Sequence, residues 1–154
     1  MASRMDDEAD DSQLARASAL AAELRALVAK LRRRLREQAD AGDLTPSQVS
    51  AVLRLEKTGP STTSALARAT GVRPQSMAAV VDVLEAAGLV SGAPDPADGR
   101  RTLLSLTEAC RTRLREGRAA RQDWLTRALQ QRFSPQEQDE LAAAVQLLGR
   151  LADD

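Results

Sequence analysis

A chain of 154 residues, 43% of them hydrophobic, suits one compact domain or one subunit of an obligate oligomer, and nothing in it suggests two independent domains. It has no histidine and no tyrosine, and Cys110 is its single cysteine. That excludes Ser-His-Asp and Cys-His catalysis, histidine-ligated metals, an internal disulfide and a multi-cysteine zinc site, so neither an enzyme nor a cofactor or metal is expected.

The charges balance, 22 basic against 22 acidic, but unevenly along the chain. At the start Arg4 stands against Asp6, Asp7, Glu8, Asp10 and Asp11, a charge of −4, which leaves 21 basic and 17 acidic residues, or +4, for everything after Ser12. Residues 1–11 are polar and aperiodic, and a disordered acidic tail masking a mildly basic body is expected there. That start lacks the basic and apolar segments of a signal peptide, and no apolar run approaches the roughly 18 to 20 residues that cross a bilayer. A cytoplasmic protein with no membrane partner is expected.

From about Ser12 a helix is predicted, with Leu20, Leu24, Leu27, Val28, Leu31 and Leu35 on one apolar stripe. Its other face carries Lys30, Arg32, Arg33, Arg34 and Arg36, which fit a solvated surface or phosphate contacts. Ala41-Gly42-Asp43 breaks it. Thr45 then caps a second helix with Pro46 at its first position and Gln48 in capping-box register, and Val49, Val52, Leu53 and Leu55 are its expected buried side. Lys57-Thr58-Gly59-Pro60 ends that helix.

Residues 61–106 read as helix, tight turn, helix and hairpin. Thr62 can cap a short helix through Leu66 to Ala69, Gly71 supplies the turn, and Arg73-Pro74 opens the next helix. Counted from Thr63, Leu66, Ala67, Gly71, Val72, Met77 and Val80 stand where the two helices of a helix-turn-helix must touch or turn. Gly88 stops the second helix, Leu89-Val90 begins a strand, and Pro94 to Arg100 is a tip dense in turn formers before the return strand Arg101 to Leu106. Thr107 caps a long arginine-rich helix to about Gln131, whose apolar positions are Cys110, Leu114, Trp124, Leu125, Ala128 and Leu129. Ser134, Pro135 and Glu137 start the last helix, with Leu141, Ala144, Val145, Leu148 and Leu151 as its stripe.

The predicted fold is mainly α with a small β-hairpin wing: a winged helix-turn-helix core over 44–107, flanked by helical segments 12–40 and 108–154. The small core cannot cover the terminal stripes, so these segments are expected to form a dimerisation region, with Leu20, Leu24, Leu27, Leu31, Leu141, Val145, Leu148 and Leu151 at a homodimer interface.

Nucleic-acid recognition is the chemistry left. Arg73, Gln75 and Ser76 lie in the first turn of the second helix of the helix-turn-helix, where a helix in the major groove of double-stranded DNA meets base edges; Gln suits adenine and Arg suits guanine. Arg100 at the hairpin tip suits the narrow minor groove, with Asp98 holding it through a charge-assisted bond, and Arg101 suits a phosphate. Ser61, Thr62 and Thr63, at a helix N-terminus, could position another phosphate.

Leu44-Thr45-Pro46-Ser47-Gln48, Leu66-Ala67, Gly71-Val72, Leu84-Glu85, Gly88-Leu89-Val90, Asp95-Pro96, Asp98-Gly99-Arg100 and Leu106-Thr107 occur in order and at familiar spacing. In these the chain resembles the MarR family of bacterial transcription regulators, over about Leu44 to Leu114. The resemblance implies a cytoplasmic homodimer that binds pseudo-palindromic DNA, usually represses, and is released by a small ligand or by oxidation. It also implies that Arg100 reads the minor groove and that an effector, a small amphipathic or aromatic molecule, binds between the winged core and the helical region; no residue identifies the effector site. Two departures stand out: Ala78-Ala79 replaces the frequent hydroxyl and basic residues, and Ser91 stands where arginine is common. Peroxide sensors of the family carry their cysteine in the first helix, supported by tyrosines, so Cys110 is expected to be a buried, inert thiol. The neutral charge and Ala78-Ala79 keep open a second reading, a winged-helix protein-interaction module with little or no specific DNA binding.

Overall fold

The computed structural model describes residues 2–39 and 44–152, among which there are six α-helices and one two-stranded antiparallel hairpin. They divide into two units, one holding the chain up to Ala39 and from Arg121 onward, the other the chain between them up to Ala120.

The middle unit contains α2 (Pro46–Thr58), α3 (Thr63–Thr70), α4 (Pro74–Ala86), β1 (Val90–Pro94), β2 (Thr102–Leu106) and the start of α5 (Glu108–Arg132). Thr45 closes the expected capping box: its hydroxyl accepts from Gln48 N–H, and the Gln48 side chain accepts from Thr45 N–H at 2.8 Å. This explains why Gln48 is a buried polar side chain without an unsatisfied atom. The core gathers Ala51, Val52 and Leu55 from α2, Leu66 and Ala67 from α3, Met77, Val81 and Leu84 from α4, Leu104 and Leu106 from β2, and Cys110 from α5. Leu53, expected inside, is instead 47% exposed, because Ala51 fills the place beside Val52 on the inward side of α2.

β1 and β2 pair from Val90 opposite Leu106 to Pro94 opposite Thr102, so the tip is Asp95 to Arg101, one residue later than the sequence pattern suggests. Ser61 adds a one-residue third strand by exchanging two hydrogen bonds with Leu104, at 3.1 and 2.8 Å. Thr107 joins hairpin, α4 and α5: its N–H donates to Leu89 O, its hydroxyl donates to Gly88 O at 2.6 Å and accepts from Cys110 N–H at 3.2 Å.

The other unit contains α1 (Ala2–Gln38), the C-terminal part of α5 and α6 (Pro135–Gly149). The acidic segment expected to be disordered continues α1 from Ala2. No glycine or proline stands between Ala2 and Gln38, so the segment contains no residue that breaks a helix already propagating from Ser12 onward. The break expected at Ala41-Gly42-Asp43 lies outside the described residues. Arg34 of α1 lies over the Trp124 ring of α5, 5.8 Å from its centroid. Ser134 and Glu137 close the second capping box at the start of α6.

The division between units falls inside α5, rather than at its start as the motif boundaries suggest. Cys110 is only 2% exposed in the winged core, Leu114 packs against that core, and Arg118 forms a bidentate pair with Glu56 of α2, so the first turns of α5 belong with the hairpin.

Candidate nucleic-acid interface

The helix-turn-helix is built by three short-range devices. Thr62 accepts from Ala65 N–H at 3.2 Å and so caps α3. Gly71 ends it at φ 68°, in the left-handed region that costs other residues a steric penalty, and Val72 N–H donates back to Ala67 O. Arg73 is extended, with φ −63° and ψ 143°, and Pro74 fixes the first helical position of α4.

Along α4 the helical repeat sorts the side chains. Met77, Val81 and Leu84 are buried on one face, while Gln75, Ala79 and Asp82 are exposed on the opposite one, with Ser76 and Ala78 at its flanks. Arg73, just before the helix, is exposed and makes no side-chain cap bond. Between Pro74 and Ala86 the chain has no lysine or arginine, and Asp82 and Glu85 are acidic. The outer surface of this helix is therefore polar at its N-terminal end and free of positive charge, with Val83, 50% exposed, further along it.

The hairpin tip is a double turn. Asp95 N–H donates to Arg101 O at 2.8 Å, Asp98 N–H to Asp95 O at 3.2 Å, and Arg101 N–H to Asp98 O at 2.9 Å. Each aspartate then folds its carboxylate over the backbone two residues on: Asp95 accepts from Ala97 N–H at 2.9 Å and Asp98 from Arg100 N–H at 3.1 Å. Asp98 thus shapes the backbone under Arg100 rather than gripping its guanidinium, because the Asx geometry brings the carboxylate to the N–H. The guanidinium groups of Arg100 and Arg101 are exposed and enter none of the ion pairs among the described residues. Ser61, Thr62 and Thr63 are half-buried, Ser61 committed through its backbone to β2 and Thr62 through its oxygen to the α3 cap. Since α4 packs on β1, the α4 face and the wing tip are features of one unit.

Cys110, by contrast, is removed from this surface, and burial pushes its thiol above the usual cysteine range. Glu56, held by the Arg118 guanidinium at 2.8 and 3.0 Å, lies below the usual carboxylate range because of that hydrogen bonding, against a smaller opposing effect of burial. Sequence gives no local sign of this pair, whose members are 62 positions apart. In the other unit the interface residues expected from the sequence are open: Leu20 is 64%, Leu27 61%, Leu31 40%, Val145 58%, Leu148 43% and Leu151 76% exposed, while Leu24 and Leu141 are half-buried. Leu151 lies in the turn after α6 rather than on it, since the helix stops at Gly149. Among the described residues no cluster of acidic or cysteine side chains could hold a metal, and no helix is long and apolar enough to cross a membrane.

A short helix, a left-handed glycine turn, an outward helix and a charged hairpin packed around one core define a winged helix-turn-helix module. Residues 42–101 match the model of the MarR family. An HTH-type transcriptional regulator of Mycobacterium bovis is 37% identical over 135 residues, 88% of this chain and 94% of its own. The crystal structure of a transcriptional regulator protein of Pseudomonas aeruginosa is 38% identical, covers 86% of this chain and 94% of its own, and superposes with a TM-score of 0.75. A MarR family protein of Bacillus stearothermophilus is 25% identical over 88% of this chain and 94% of its own, with a TM-score of 0.66. The chain belongs to the MarR family of DNA-binding transcriptional regulators.

Proposed function

We propose that this protein is a cytoplasmic repressor that binds a pseudo-palindromic operator as a homodimer and leaves it when a small amphipathic or aromatic ligand binds. In this reading Arg73, Gln75 and Ser76 at the start of α4 meet base edges in the major groove, and Arg100 enters the adjoining minor groove. Arg101 and the Ser61 to Thr63 segment contact phosphates. The observation that carries it is the exposure, on one compact unit, of the polar end of α4 together with two wing-tip arginines that enter no ion pair among the described residues. Dimerisation is supported by α6, none of whose residues is buried within the chain, and by the open leucines of α1. Release by a ligand is supported by family membership alone.

The absence of any basic residue on α4 favours a second reading, a winged module that docks on a protein. A mobility shift with DNA from the protein's own upstream region, repeated at raised salt, separates the two. The operator reading expects a discrete complex for which the logarithm of the binding constant falls linearly with the logarithm of salt concentration. No shift at low salt, or smearing without a discrete complex, supports the docking module instead.

A further inference from the structure

The outward face of α4 contains a feature that the proposed contacts leave unused. Ala79 stands four residues after Gln75, directly opposite the buried Met77, Val81 and Leu84, and is exposed. At 1.5 Å of rise per residue the two side chains are about 6 Å apart along the helix. Stacked base pairs are about 3.4 Å apart, so a helix that places Gln75 at one base pair brings Ala79 to another one or two steps away. Ala79 has no donor or acceptor, only a methyl group. Among the base edges of the major groove the one apolar feature is the 5-methyl of thymine.

The surroundings favour this match. Asp82, one turn further along, has only acceptor oxygens and is repelled by phosphates, as is Glu85, so close approach is confined to the N-terminal turns where Gln75 and Ala79 lie. The short side chain also lets the helix backbone come near the groove floor. With no lysine or arginine on α4, discrimination there has to come from hydrogen bonds and apolar contact rather than charge.

We propose that Ala79 reads the methyl group of a thymine in each half-site, one or two base pairs from the one read by Gln75. This rests on the reading that α4 enters the major groove. It makes Ala79 a specificity-determining residue rather than a gap in the recognition helix.

The test begins with an operator selected by the purified protein from a randomised duplex library. Each thymine of it is then replaced singly by deoxyuridine, which removes the methyl and nothing else. At one thymine in each half-site the wild type is expected to lose about fourfold in affinity, the worth of about one buried methyl-sized group. Ala79→Gly, which removes the contact from both half-sites of the dimer, is expected to bind the unmodified operator about sixteenfold more weakly, about fourfold per half-site, and to be indifferent to deoxyuridine at that same position. The proposal is overturned if no thymine responds, or if that position responds equally in Ala79→Gly. The scan on wild-type protein stands by itself should the glycine variant unfold. If the protein selects no sequence at all, the DNA-reading function fails and this inference with it; a selected operator that ignores deoxyuridine defeats Ala79 alone.

Discussion

Thr107 has one hydroxyl and uses it twice, donating to Gly88 O behind α4 and accepting from Cys110 N–H at the start of α5. Thr107→Val keeps the shape and loses both bonds, so stability in urea should fall by about 2 kcal/mol, a helix cap and a hydrogen bond at about 1 kcal/mol each. Thr107→Ser should stay close to wild type. Sequence shows this threonine as a cap, from its place before Glu108, but the bond to Gly88 spans 19 positions and has no local signature. Cys110 is a second case in which residue type tells less than place. Its burial in the winged core raises the thiol, which stays protonated at neutral pH and is shielded from reagents. A disulfide reagent at pH 8 should label Cys110 only as fast as the protein unfolds, and Cys110→Ser should bind DNA as wild type does, with the same response to peroxide. Immediate labelling of the native protein would argue for a reactive thiol.

At the scale of elements, the Glu56–Arg118 pair ties α2 to α5 inside the winged unit. Its carboxylate is held below its ordinary value of 4.5, so the pair contributes stability above that pH and loses it as pH falls through the lower, folded value. Wild type should therefore be more stable than Glu56→Gln at pH 7, with the gap closing from about pH 4.5 downward. Equal stability at both pH values would mean that solvent screening cancels the pair. The two outward elements, α4 and the wing, differ in what each groove can distinguish. Gln75→Ala should cost roughly 1 to 3 kcal/mol on the preferred operator and relax preference at one base pair, whereas Arg100→Ala should flatten the preference for A·T-rich flanks and leave the centre unchanged. Titrations against operators altered at the centre or the flank check both. Helix starts were legible in the sequence because Thr45, Thr62 and Ser134 act within three residues of themselves, and the turn at Gly71 likewise. The inward side of α2 was less so: Ala51 and Leu53 are both apolar, and tertiary packing alone decides that the smaller one goes inside.

At the scale of the molecule, Leu20, Leu27 and Leu31 of α1 and Val145 and Leu148 of α6 form unsettled apolar surface, since a single chain leaves them exposed. A second copy covers them by symmetry in the proposed homodimer, so sedimentation at micromolar concentration should show a dimer, and Leu27→Asp with Leu148→Asp should yield monomers or aggregates. Sequence made these stripes visible through their period but placed Leu151 on α6, when the helix ends two residues earlier at Gly149. The central claim is that two copies present two α4 helices and two wings to one operator. Hydroxyl-radical footprinting on a selected operator tests it most directly. Two protected half-sites related by a dyad, about 10 bp from centre to centre, are the expected result; protection of one isolated half-site, or none, would contradict it.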